Sequence, residues 1–291
     1  MTIQNTLHLI SHQTWQRDEL AVAADWVVDH SIGMDVPAYD LKDSWWAPQA
    51  QAVQLLNAVR VHELPEIRFI APTPDLLDKL PYELTGRKVG TVLAREAVST
   101  IIDWPELWWK LATAKHDVFI AQPRTHQQLL EDVQKNNIPD TAWLQYSESL
   151  PEIISEHRFF VSRDKNQFVV HASSGYLKNG VTVYDGAVFD EEEKQEALNL
   201  VEELLDSSVA LPPSFVVDIA VTVEGAYVLE FNPSWCSGWY DSNVEGVLET
   251  IRRGFCSTKQ EQKAWGYIPD AVLIQQYRNP GRRIWGPPSS A

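Results

Sequence analysis

The sequence predicts an α+β fold in which a small α/β lobe, residues 1–85, precedes a longer strand-rich region and a C-terminal tail at 271–291. Three observations lead there. Strand-like and helix-like segments alternate through the first third. A helix-spaced segment with acids crowded into its first turn runs from Asp190 to Leu205. Soon after it, Val216 to Pro233 reads as two alternating strands joined by a tight turn at Gly225.

With 291 residues the chain has room for two domains or one large one. Hydrophobic residues at 44% and charged residues at 22% describe an ordinary globular composition. The formal net charge of −16 argues against an unspecific grip on nucleic acid or an anionic membrane, because phosphates would be repelled. Cys236 and Cys256 show no paired ligand spacing, so neither a zinc site nor a disulfide framework is expected. Met1 to Ile10 lacks the charged head and apolar run of a signal peptide, and no stretch of about 18 apolar residues is present to span a membrane. The expected setting is the cytoplasm.

Leu7 to Ile10 reads as the opening strand. Asp18 to His30 has helical spacing through Leu20, Ala23, Ala24, Val27 and Val28, with Gly33 beyond it as a stop. His8 and His12 stand four apart, but in a strand-to-loop segment, and are read as structural. Ala50 to Val61 predicts a helix, and Ile67 to Ile70 a strand ending at Pro72. This lobe carries neither a G-x-G-x-x-G turn nor a G-x-x-x-x-G-K-[ST] loop. Asp75 to Leu80 opens a short helix, and Leu84-Thr85-Gly86-Arg87-Lys88 is a connector into a new unit.

Beyond it, strands are predicted at Leu107 to Leu111, Val118 to Ala121 and Trp143 to Tyr146, with a helix from Gln127 to Gln134. Glu156 to Val161 and Phe168 to Val170 continue the sheet across a turn at 163–166. Val244 to Arg253 predicts a helix, and the tail from Gln275 is rich in Pro, Arg and Gly, as in an arm or strap.

The late hairpin carries the chemistry. With a three-residue turn, Val223-Glu224-Gly225, Asp218 falls opposite Glu230, and Asn232 lies on the same face. Two carboxylates so placed destabilise a sheet unless a cation stands between them. A set of Asp, Glu and Asn oxygens suits Mg²⁺, which keeps several waters and phosphate oxygens in its shell. A two-residue turn at Glu224-Gly225 would instead put the acids on opposite faces, and an exposed hairpin with a wet polar face fits the spacing too. The division of faces favours the site: Ile219, Val221 and Val223, with Tyr227, Leu229 and Phe231, form an apolar face against a polar one. Lys110, inside an apolar strand, and Lys115, beyond a small-residue turn, could hold phosphates, or be solvated lysines on an edge. Glu156 and Arg158 share a strand face, as a site or as a surface pair.

Four patches resemble the ATP-grasp superfamily, and in particular the clade named for one arginine and two lysines. Trp109-Lys110-Leu111-Ala112-Thr113-Ala114-Lys115 resembles its paired-lysine segment, with Leu111 where proline is frequent. Gln145-Tyr146-Ser147-Glu148 resembles the hinge that meets adenine, and Glu156-His157-Arg158-Phe159-Phe160-Val161 the arginine strand. Asp218 with Glu230-Phe231-Asn232-Pro233 resembles the metal-binding hairpin, the most specific of the four. The resemblance implies an ATP-grasp fold, two α+β subdomains gripping ATP, over residues 86–270. It implies an ATP-dependent carboxylate–amine ligase acting through an acylphosphate on a small-molecule or peptide substrate. Lys110 and Lys115 would neutralise the α- and β-phosphates, Ser147, Glu148 and Glu156 would surround the adenosine, and Asp218, Glu230 and Asn232 would place Mg²⁺. Arg158, with Lys115, would act on the transferred phosphoryl group. The other implied readings are a nucleotide-binding module without turnover and a nucleic-acid end-modifying enzyme. The last draws on Arg278, Arg282 and Arg283 against the acidic charge.

Overall fold

The computed structural model describes residues 6–10, 18–20, 27–29, 39–99, 106–114 and 119–277. A three-stranded parallel sheet opens the chain, in the order β2 (Val27–Asp29), β1 (Leu7–Leu9), β3 (Ser44–Trp46). The helix expected from Asp18 to His30 is therefore corrected: 18–20 are helical, but Val27 and Val28 are strand. Two adjacent β-branched residues lose rotamer freedom in a helix and fit a pleated ladder. Gly33, the expected stop, and His12 lie outside the described residues. His8 stacks on Trp45 and bonds Asp43, a structural role. The helix Gln49–Val61 forms as its spacing predicts, burying Ala52, Leu55 and Val59 beside Trp45 and Phe69.

Ile67 to Ile70 does not build a strand. Phe69 and Ile70 make isolated bridges to Phe255 and Gly266, with the Trp235 indole donating to the Ile70 carbonyl. The helix expected after Asp75 is a single 3-10 turn, Leu77–Lys79, and the connector holds the one-turn helix Tyr82–Thr85.

The second sheet is antiparallel, in the order β4 (Val89–Leu93), β7 (Trp143–Ser147), β5 (Leu107–Leu111), β6 (Gln122–Arg124). Trp109, Leu111 and Leu144 pack under the helix His126–Lys135 through Leu129 and Val133. The strand expected over Val118 to Ala121 is displaced to Gln122–Arg124; Val118 lies outside the described residues. Phe119 enters the core as a single anchor, with the buried Arg124 guanidinium 4.3 Å above its ring.

The third sheet is antiparallel and larger: β10 (Val181–Thr182), β9 (Gln167–Lys178), β8 (Ile153–Asp164), β11 (Ser214–Thr222), β12 (Gly225–Asn232). One face, with Phe159, Val161, Val217, Ile219 and Val221, packs under the helix Glu191–Asp206, which starts in a capping box between Asp190 and Glu193. The other face, with Phe160 and Val216, packs under the helix Val244–Arg252 and against Trp46 of β3 and Trp239 of the loop that follows β12. The chain continues through helices Lys259–Trp265 and Ala271–Tyr277. Val272 and Leu273 are buried in the core of the second sheet and anchor the helix Ala271–Tyr277, whose end, exposed at Gln275 and Gln276, takes in Gln275 to Tyr277 of the expected arm. Residues 278–291, with Arg278, Arg282 and Arg283, lie outside the described residues. Among the described residues no helix is long and apolar enough to cross a membrane.

Candidate functional site

The β11–β12 hairpin turns at Val223-Glu224, with Thr222 opposite Gly225, and not at the three residues expected. Gly225 sits at φ +141°, a conformation that side chains rarely adopt. That turn alone would place Asp218 opposite Leu229. A bulge intervenes: Ile219 pairs with Val228 and Asp218 with Glu230, leaving Leu229 as the extra residue. The expected pairing of the two acids is thus reached by a different route. The bulge also changes the faces. Val228, expected on the polar side, is fully buried in the apolar core, and Phe231 packs against that same core.

Arg158 on β8 lies directly opposite Asp218 in the neighbouring ladder, so Arg158, Asp218 and Glu230 form one row across three strands. The guanidinium forks onto the carboxylate, Nε to Oδ1 and Nη2 to Oδ2 both at 2.7 Å, while Nη1 donates to the Gly238 carbonyl at 3.0 Å. Tyr176 and Tyr240 stack on each other at 4.9 Å, and the guanidinium carbon lies 5.4 and 5.1 Å from their ring centres. Burial opposes the charge on Arg158, but Asp218 outweighs it and holds the group above its ordinary range.

Lys110 comes from the other sheet. Its Nζ reaches Glu230 Oε2 at 2.6 Å across the gap. Asn232 sits between the acids, its Nδ2 donating to Asp218 Oδ2 at 3.1 Å and to Glu230 Oε1 at 3.0 Å. The cation that two facing carboxylates require is supplied here by the protein's own Arg158 and Lys110. Glu156, two residues before Arg158 on β8, accepts a hydrogen bond from the Tyr176 hydroxyl. Burial raises its carboxyl above the usual range, and the charges of Asp218 and Glu230 push the same way.

A cleft of roughly 1250 Å³ opens over this row. Lys110 and Gln145 line it from one sheet, Arg158, Glu230 and Asn232 from the other. Pro48, Gln49 and Tyr267 line it from the opening lobe and the C-terminal segment. Ser147 and Glu148 stand apart from this row, at the end of β7. Glu148 accepts from the Lys88 backbone N–H at 3.0 Å. Lys115 lies outside the described residues. Asp218 is fully buried behind the cleft wall, its oxygens engaged by Arg158 and Asn232.

Among the described residues no group of three or more His, Cys, Asp or Glu side chains could hold a metal ion. Asp218, Glu230 and Asn232 nonetheless converge within hydrogen-bond length, and turning the Asn232 amide presents its oxygen beside two carboxylates. That donor chemistry fits a hard divalent cation. Sequence reasoning named Gln145 only within the segment that resembles the hinge, not opposite Lys110, and missed the Tyr176–Tyr240 stack over Arg158. Gln145 stands opposite Lys110 through the register between β5 and β7, which the residue pattern of neither strand encodes. Tyr176 projects at a bulge in β9, which leaves no trace in the residue pattern.

The ATP-grasp domain model for family 3 of the clade named for one arginine and two lysines matches residues 89–251, more than half of the chain. The chain belongs to this ATP-grasp family. The match contains Lys110, Arg158, Asp218, Glu230 and Asn232, and it ends one residue before the close of the helix Val244–Arg252. No curated protein matches significantly. Among solved structures, N5-carboxyaminoimidazole synthetase from Staphylococcus aureus is similar at 12% identity and TM-score 0.49, over 87% of this chain and 78% of that one. D-alanyl-alanine synthetase A from Vibrio cholerae O1 is similar at 10% identity and TM-score 0.45, over 94% and 98%. A RimK domain ATP-grasp protein from Sphaerobacter thermophilus is similar at 14% identity and TM-score 0.43, over 86% and 96%.

Proposed function

We propose that this ATP-grasp protein is an ATP-dependent ligase that activates a carboxylate as an acylphosphate and joins it to an amine or related nucleophile, on a small-molecule or peptide substrate. One observation carries the reading: Lys110 reaches across the cleft to a row of Arg158, Asp218 and Glu230 on the opposite sheet. Phosphoryl transfer needs positioning and neutralisation of charge more than covalent help from the protein. In this reading Lys110, moving from Glu230 to phosphate oxygens, neutralises the nucleotide together with Lys115. Ser147 and Glu148 border the adenosine end and Glu156 the ribose.

Glu230 and Asn232, which line the cleft, would hold Mg²⁺, with Asp218 steadying the Asn232 amide from behind. The bound ion would supply charge neutralisation at the phosphates. The two N–H groups of Arg158 not donated to Asp218 or Gly238 aim its remaining charge at the transferred phosphoryl group. We assign residues 1–85 to a pre-grasp lobe, 86–270 to the grasp region and 271–291 to a tail. Pro48 and Gln49, which line the cleft, support a part for the first of these in holding substrate.

Titration calorimetry with Mg-ATP tests the reading. Wild type should bind, and Lys110→Ala should weaken binding by at least about tenfold; silence from wild type ends the proposal. A second reading, a nucleotide-binding module without turnover, is favoured by the engagement of three Arg158 N–H groups inside the protein. ATP hydrolysis across a panel of carboxylates and amines separates the two, since turnover that needs a second small molecule belongs to the ligase.

A further inference from the structure

Arg87 is buried, lies outside the matched family region, and has no part in the chemistry above. Its Nη1 donates to the Thr85 carbonyl at 2.9 Å and to the Val228 carbonyl at 3.1 Å, and its Nη2 to the Leu229 carbonyl at 3.2 Å. No carboxylate is among these partners. Among the described residues β12 is the edge strand of its sheet, so its outward carbonyls meet no ladder partner there, and an extra residue disturbs the spacing further. The two carbonyls on β12 that Arg87 bridges are those of the bulged Leu229 and the residue before it. Glu230 follows directly.

The approach is built in. Gly86 sits at φ +60°, and a Cβ there would fall 2.4 Å from the Tyr227 ring. The connector can lie against β12 only with glycine at this position. It also joins the two sheets: Leu84 packs in the core of the large sheet, while the Lys88 backbone exchanges hydrogen bonds with Glu148 beside the small one. Burial without a counter-charge pushes the Arg87 guanidinium down to about 10, the mark of a cation held by carbonyl dipoles alone.

We propose that Arg87 is a positioning residue: it locks the Leu229 bulge that sets Glu230 opposite Asp218, and it ties that bulge to the connector between the two sheets. The proposal rests on Glu230 being a cleft ligand for magnesium–nucleotide. The experiment titrates ATP into wild type, Arg87→Met and Arg87→Lys, with and without Mg²⁺, alongside amide hydrogen exchange over residues 226–232. The expected result is a folded Arg87→Met that loses at least about tenfold of the magnesium-dependent part of ATP affinity and exchanges faster over 226–232. Arg87→Lys should recover part of both, since one ammonium cannot span three carbonyls. Magnesium dependence within about twofold of wild type overturns the proposal. Should Arg87→Met fail to fold, Arg87→Lys decides by the same threshold. If wild type binds no ATP, the nucleotide reading falls instead, and unchanged exchange over 226–232 in either variant still sinks the role of Arg87 at the bulge.

Discussion

The pairs Arg158–Asp218 and Lys110–Glu230 are neighbours at one cleft wall, yet they are built from different parts of the fold. Arg158 and Asp218 face each other on adjacent strands of one sheet, with side chains 4% and 0% exposed and two hydrogen bonds of 2.7 Å. Lys110 and Glu230 come from separate sheets, are 26% and 23% exposed, and share a single contact of 2.6 Å. A strand ladder fixes the first geometry. The width of the cleft sets the second, so it can be exchanged for a ligand without disturbing a ladder. A site that must stay shaped while its contents change needs one pair of each kind.

Removing one partner of the buried pair should have the largest effect. Asp218→Ala leaves a desolvated guanidinium with the Gly238 carbonyl as its remaining hydrogen-bond acceptor, and breaking such pairs costs about 3–5 kcal/mol. Urea unfolding measures it. A loss below about 1 kcal/mol would place this pair with surface ones and erase the contrast. The cross-sheet pair should behave the other way. Lys110→Ala and Glu230→Gln should each alter stability by no more than about 1 kcal/mol. Glu230→Gln should nonetheless weaken Mg-ATP by at least about tenfold. Raising salt should weaken the Lys110–Glu230 contact and spare the buried fork, because screening acts on what solvent reaches.

The two pairs are not equally legible in the sequence. Alternation along a hairpin picks out Asp218, Glu230 and Asn232, yet the turn read from it is one residue too long, and it cannot show the bulge at Leu229. The two errors cancel for Asp218 and Glu230, while Val228 ends on the opposite face from the one expected. The partnership of Arg158 with Asp218 is a register between strands 60 residues apart, which periodicity within a strand does not encode. Asn179-Gly180, both at positive φ, turns β9 into β10, a hairpin that the reading of the sequence passed over. Helices with a clear apolar stripe and cap, such as Glu191–Asp206, are legible because their stability is local; Val27 and Val28 are not, because a partner strand decides their state.

The smallest effect expected sharpens the comparison from a third acid. Glu156 lies near both Asp218 and Glu230, and burial first, then their like charge, raises its carboxyl above the ordinary value of 4.5. A raised folded value means that the native state prefers the protonated form. The stability this contributes is fully present below the ordinary value and is lost as pH climbs through the raised one. Glu156→Gln keeps a carbonyl for the Tyr176 hydroxyl and cannot ionise, so it should lack that loss. Its melting temperature should match wild type in acid and exceed it progressively as pH rises toward neutrality. A crossing in the opposite sense would mean that Glu156 is ionised and paired in the native state, and Arg158 would then be answering two acids rather than one.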